Sequence, residues 1–105
     1  MKVLVVGGGG REHAIVRKLA ESRRISRIIA LPGNGGIAFD AECADIRATD
    51  ADRIVFFAQE QAIDLVIVGP DDPLALGLID RLAQVGIRAF GPSRAAAELE
   101  SSKIF

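Results

Sequence analysis

The sequence has one cysteine, Cys43, one histidine, His13, and no excess of either charge, and each scarcity excludes a class of function. A lone thiol closes no internal disulfide and builds no multi-cysteine metal cluster, and it is compatible with a reducing cytosol. Cys43 is expected to be a small, partly buried residue. His13 has no second histidine and no suitably spaced carboxylate pair, which makes it a packed or half-exposed helix residue rather than a metal ligand. The 13 basic and 14 acidic residues are spread along the chain, so no basic stripe argues for nucleic acid and no cationic amphipathic segment argues for a membrane surface. Long apolar runs are also missing. The first, Val3 to Val6, stops at a run of glycines, far too short for a secretory core or a membrane span, and a cytoplasmic location is expected. No stretch repeats at a fixed period and none is low in complexity.

What is present is glycine in the right places. The 105 residues suit one domain, residues 1–105, with one core. The stretch Gly7-Gly8-Gly9-Gly10-Arg11-Glu12 follows Val3-Leu4-Val5-Val6 and leads into a helical pattern, with Ile15, Val16, Leu19 and Ala20 on one side and Arg17, Lys18 and Glu21 on the other. This is a strand-to-helix turn. Its glycines let a ligand approach peptide N–H groups without meeting a Cβ, and the following helix points unpaired N–H groups and its positive dipole end at the same place. An anion, most often a phosphate, is the natural guest.

The same alternation continues. Ile25 to Leu31 reads as a second strand that stops at Pro32-Gly33-Asn34-Gly35-Gly36, and Cys43 to Ile46 as a short third strand. Thr49 and Asp52 resemble a capping box before a helix running from Ile54 to about Gln61. Asp64 to Val68 has the near-continuous apolar pattern of a strand covered on both faces, and it ends at Gly69-Pro70-Asp71-Asp72-Pro73. An aspartate before Pro73 caps a third helix, along which Leu74, Leu78, Leu82 and Val85 share a face. Ile87 to Phe90 reads as another buried strand, ending in Gly91-Pro92-Ser93, where Ser93 caps a short helix. The fold class expected is α/β: a Rossmann-like, mostly parallel sheet with helices on both faces. In such sheets ligands bind beyond the carboxyl ends of the strands, where strand order reverses, and four glycine- or proline-bearing turns converge there.

A dinucleotide fits these turns poorly. Gly7 and Gly9 match the fingerprint, but Glu12 stands at the third glycine position, and no carboxylate closes the second strand. A receiver domain needs acidic residues after its first strand, and glycines stand there. Arg11 either pairs with a phosphate through its planar fork or is a solvated first-turn arginine. Glu12 repels a phosphate at contact distance, so it caps backbone N–H groups or accepts from a sugar hydroxyl, with capping favoured. Asp71 is the preferred ligand carboxylate of the Asp71-Asp72 pair, one of which helix capping already explains. Asn34 supplies a left-handed turn conformation, and Lys103 reads as an ordinary surface lysine.

Taken together, Gly7 to Ala14, Pro32 to Gly36, Val68 to Asp71 with Pro73-Leu74, and Gly91-Pro92-Ser93 through Ala95-Ala96-Ala97, Leu99-Glu100 and Ser102-Lys103 resemble the N-terminal domain of glycinamide ribonucleotide synthetase, or phosphoribosylamine-glycine ligase, of the ATP-grasp superfamily. The resemblance implies a pre-ATP-grasp domain of an enzyme that joins glycine to phosphoribosylamine through a glycyl phosphate, in de novo purine synthesis. It implies substrate-binding roles for Gly9, Gly10, Arg11 and Glu12, and for Asn34, Gly69, Pro70, Asp71, Pro73, Pro92 and Ser93, with phosphoribosylamine or glycinamide ribonucleotide as the ligand. It assigns no catalytic residue or metal to this chain. ATP and Mg2+ belong to later domains, which are the implied partners, so the chain alone is expected to be inactive. Asp71 and Asp72 stand where the family commonly has Glu then Ala, Ile37 stands where threonine is common, and Ser101 and Ile104 replace a usual glycine and alanine. The competing readings are a free-standing nucleotide- or NAD-binding module and the corresponding domain of another carboxylate-amine ligase.

Overall fold

Successive side chains of a strand point to opposite faces of its sheet, and the first strand, β1 (Lys2–Gly7), is apolar on both: Val3, Leu4, Val5 and Val6 are all wholly buried. A computed structural model describes residues 1–33, 35–39, 41–69 and 73–91, with residues 11, 39 and 73–76 described by their backbone. After β1 come α1 (Gly10–Ala20), β2 (Arg27–Pro32), a 3-10 turn (Ile37–Phe39), β3 (Glu42–Cys43), α2 (Ala51–Glu60), β4 (Leu65–Val68), α3 (Pro73–Gln84) and β5 (Arg88–Phe90). Among the described residues the strands form one sheet in the order β3-β2-β1-β4-β5, with every neighbouring pair parallel.

The two-residue period sorts the core into two layers. Val3, Val5, Ile28, Ala30, Leu65 and Ile67 pack under Ile15, Val16 and Leu19 of α1. Leu4, Val6, Ile29, Leu31, Val66 and Val68 pack under Ile54, Val55 and Ala58 of α2 and Leu78 and Leu82 of α3. Helices on both faces explain why the central strands read as continuous apolar runs rather than alternating ones.

Several local expectations change. The cap of α2 is Asp50, whose side chain accepts from the Arg53 N–H at 3.3 Å, and not Thr49. Asp52 instead reaches across to α3 and pairs with Arg81 at 2.6 Å. The third strand is only Glu42–Cys43, held to β2 by the Arg27 guanidinium, whose Nη2 donates to Glu42 Oε1 at 3.0 Å. That hydrogen bond, aided by the charge attraction, lowers the Glu42 carboxyl below its usual range. Cys43 is exposed rather than partly buried. β5 is an edge strand with Arg88 exposed and Phe90 half-buried, and Val85, in the turn after α3, is exposed. Ile37 is wholly buried in the α1-side core. Asp72 and the helix expected after Ser93 lie outside the described residues.

Candidate functional site

Strand order places the reversal beside β1. The chain steps outward from β1 through β2 to β3, then returns to β4 on the other side of β1 and continues to β5. Open parallel sheets bind ligands in the crevice outside the strand ends at such a point. Here those ends are the glycine turns: Gly7 is in register with Pro32, Val6 with Val68, and Ile67 with Phe90. The pairing of β1 with β4 runs one residue further, since the Gly69 N–H donates to the Val6 carbonyl at 2.8 Å.

Packing at this edge is close enough to exclude side chains. Gly7 and Gly33 have φ of +130° and +73°, values that L side chains rarely adopt. A Cβ on Gly8 would lie 2.6 Å from the Gly33 carbonyl oxygen, so the first and second turns meet backbone to backbone. The third turn is joined to the first through Glu12. Its side chain is buried, at 9% exposure, and folded against Gly7 and Gly69, where added Cβ atoms would lie 2.7 Å and 2.6 Å from its Cδ.

The start of α1 is open. Its N-cap is Gly9, which has no side chain to cap it, and the first helical bond runs from the His13 N–H to the Gly9 carbonyl at 3.1 Å. The N–H groups of Gly10, Arg11 and Glu12 precede that bond and have no partner within the helix. Gly9 and Gly10 are exposed, and a Cβ on Gly10 would meet nothing within 4 Å. Uncapped N–H groups, a helix dipole and open space over Gly10 are the features with which helix ends hold anions, while the Glu12 Oε2 lies 3.3 Å from where a Cβ on Gly9 would stand. Glu12 lies against the glycines at the strand ends and fills space between turns; among the described residues its side chain makes no hydrogen bond to a backbone N–H, so the expected capping role is replaced by packing.

The structure therefore brings Gly9, Gly10, Glu12 and Gly69 to one place, with the backbone of Pro73 opening α3 after the third turn. The Arg11 side chain, Asn34, Pro70, Asp71, Pro92 and Ser93 lie outside the described residues. Sequence reasoning missed the packing roles of Gly7, Gly8 and Gly33; the available signal was a glycine content beyond what chain reversal needs. His13 is half-buried on α1, as expected. Among the described residues no group of three His, Cys, Asp or Glu is placed to hold a metal ion. No described helix is long and apolar enough to cross a membrane. A separate depression of about 380 Å³, lined by Ile46 and by α2 residues including Phe56 and Phe57, contains none of the glycine turns.

Comparison with known proteins agrees with this architecture. Residues 1–100 match the family model described as phosphoribosylglycinamide synthetase, N domain. The chain is 54% identical over 105 residues to a phosphoribosylamine–glycine ligase of Brucella melitensis, covering 100% of this chain and 25% of that one. It is 50% identical over 107 residues to the ligase of Xylella fastidiosa, with the same coverage of 100% and 25%. The ligase of Caldanaerobacter subterraneus is 50% identical over 105 residues, again covering 100% and 25%. The chain thus spans about a quarter of the length of the curated relatives it matches. With an all-parallel α/β sheet, glycine turns gathered at its switch point and a family match over nearly every residue, the chain belongs to the phosphoribosylglycinamide synthetase N-domain family.

Proposed function

We propose that this chain supplies the sugar-phosphate side of a ligase that uses ATP to join glycine to 5-phosphoribosylamine, giving glycinamide ribonucleotide in de novo purine synthesis. The observation that carries the site is the open N-terminus of α1 standing among three glycine turns at the strand-order reversal. A phosphate monoester suits it. Exposed Gly9 and Gly10 give the phosphate access to first-turn N–H groups, and the helix dipole favours its charge. Arg11, Asn34 and the turns around Pro70-Asp71-Pro73 and Pro92-Ser93 provide the other walls by family resemblance.

The chemistry of bond formation needs ATP and Mg2+, which activate the glycine carboxylate. We assign these to the remaining three quarters of a chain of the relatives' length, and a cytoplasmic location follows from the proposed pathway. This domain's own task is to bind the ribose phosphate and hold the attacking amine in register, lowering the entropic barrier to the bimolecular step. A free-standing NAD module is disfavoured by Glu12, which puts a carboxylate where the dinucleotide fingerprint has its third glycine.

Titration calorimetry of the chain with glycinamide ribonucleotide, ribose 5-phosphate, NAD and ATP tests the reading. Heat with the two ribose phosphates and none with NAD is expected. Tight NAD binding with no response to either ribose phosphate would refute it.

A further inference from the structure

Gly69 has a reason to be glycine that involves no ligand. Its N–H is committed to the sheet, donating to the Val6 carbonyl at 2.8 Å, so it is not aimed at a bound group. Its backbone lies outside the left-handed region that favours glycine. The three atoms nearest a Cβ built there all belong to Glu12, with Cγ and Cδ each at 2.6 Å. The three nearest a Cβ on Gly7 are also Glu12 atoms. Glu12 comes from the first turn of α1 and is 9% exposed, so a Cβ at Gly69 would have to displace a largely buried side chain. Two glycines far apart in sequence thus form a slot, and one side chain fills it.

We infer that Glu12 is a positioning residue: seated between Gly7 and Gly69, it sets the spacing of the β1–α1 and β4–α3 turns across the switch point. In doing so it fixes the start of α1 relative to Gly69 at the end of β4. An acidic side chain in the first turn of a helix interacts favourably with the dipole; the Glu12 Oε2 lies 3.3 Å from where a Cβ on Gly9 would stand, and the space over Gly10 is open. For its binding arm only, this inference rests on the function proposed above.

A double-mutant cycle tests it, using Glu12→Ala, Gly69→Ala and both together, followed by thermal unfolding and by titration with ribose 5-phosphate. Gly7 is unsuitable because its φ of +130° strains any replacement, whatever space is available. Gly69→Ala alone is expected to lower the melting temperature by roughly 5–15 °C, the range for a clash of this kind in a small domain. In the Glu12→Ala background the same change should cost little, because the atoms it collides with are gone. Each single change should weaken ribose 5-phosphate binding about tenfold or more, with no further loss in the pair, as coupled neighbours behave.

An undiminished Gly69→Ala penalty in the Glu12→Ala background would overturn the inference. If Gly69→Ala fails to fold, a folded double variant supports the inference and an unfolded one overturns it. Glu12→Gln keeps the shape while losing the charge, and should lose far less melting temperature and affinity than Glu12→Ala. A Gln variant that melts like wild type but binds like Glu12→Ala would overturn positioning in favour of direct contact with the ligand. If the unaltered chain binds no ribose 5-phosphate, the functional reading fails while the melting-temperature cycle still decides the role of Glu12.

Discussion

Replacing Gly8 and Gly10 by alanine, one at a time, should separate the packing role of the first turn from the binding role proposed for it. A Cβ on Gly8 would sit 2.6 Å from the Gly33 carbonyl oxygen, about 0.8 Å inside ordinary contact. The obstacle is backbone, flanked by Gly33 at φ +73° and by the register of β1 with β2, so no side-chain rotation relieves it. Overpacking of this kind costs about 1–3 kcal/mol, and each kcal/mol corresponds to roughly 4–8 °C in melting temperature for a domain of this size. Gly10 stands at the first helical position, and a Cβ there meets nothing within 4 Å. Gly10→Ala should therefore leave stability unchanged or raise it by about 0.4–1 kcal/mol, because alanine has less conformational freedom to lose on folding. Binding should move the other way: the new methyl occupies the space over the helix end, and Gly10→Ala should weaken ribose 5-phosphate binding in a protein at least as stable as wild type. Urea unfolding followed by circular dichroism supplies the stabilities, with an unchanged slope confirming that the unfolded ensemble is comparable. A Gly8→Ala midpoint equal to wild type, or a Gly10→Ala loss as large as that of Gly8→Ala, would refute the reasoning.

Other outcomes follow from single contacts. Leu82, on the sheet-facing side of α3, is wholly buried, and Leu82→Ala should destabilise the chain by about 2–5 kcal/mol in urea unfolding through lost transfer energy and a residual cavity. Asp50→Ala should cost about 0.5–2 kcal/mol by uncapping α2, while Thr49→Ala, at an exposed position outside the cap, should be nearly neutral. The Glu42 carboxyl is held below its usual range by its hydrogen bond to Arg27, so its contribution is complete above the ordinary glutamate range and is lost as pH falls through the depressed value. Carbon-detected NMR titration should place Glu42 below the ordinary glutamate range, and Arg27→Gln should return it toward that range.

How much could be read without the structure differs from element to element. Val3 to Val6 and Leu65 to Val68 are runs whose length, composition and bounding glycines already specify strands covered on both faces, and all of them prove buried. The helical periods of Ile15, Val16 and Leu19, and of Leu78 and Leu82, are equally local signals, and each places its residues in the core. The two residues of β3 carry no period; its place at the sheet edge comes from parallel pairing with Ile29 and Ala30 of β2, with Arg27 bonding Glu42 across that edge. The capping-box pattern points to Thr49, but α2 begins at Ala51, which puts Asp50 at the cap. Ile37 sits in a glycine-rich segment with no pattern, and only the cover provided by α1 makes it core.

The sequence by itself determined the strand-helix alternation, the apolar faces, the glycine turns at the strand ends and the family, because each is written in residues close together along the chain. Tertiary structure alone decided which turns touch. Gly8 meets Gly33, and Glu12 fills the space left by Gly7 and Gly69, because a parallel sheet of order β3-β2-β1-β4-β5 sets the ends of β2, β1 and β4 side by side. Contacts between residues so far apart in the chain leave no periodic trace in it. They arise only when hydrogen-bonded register fixes the distance between one turn and the next.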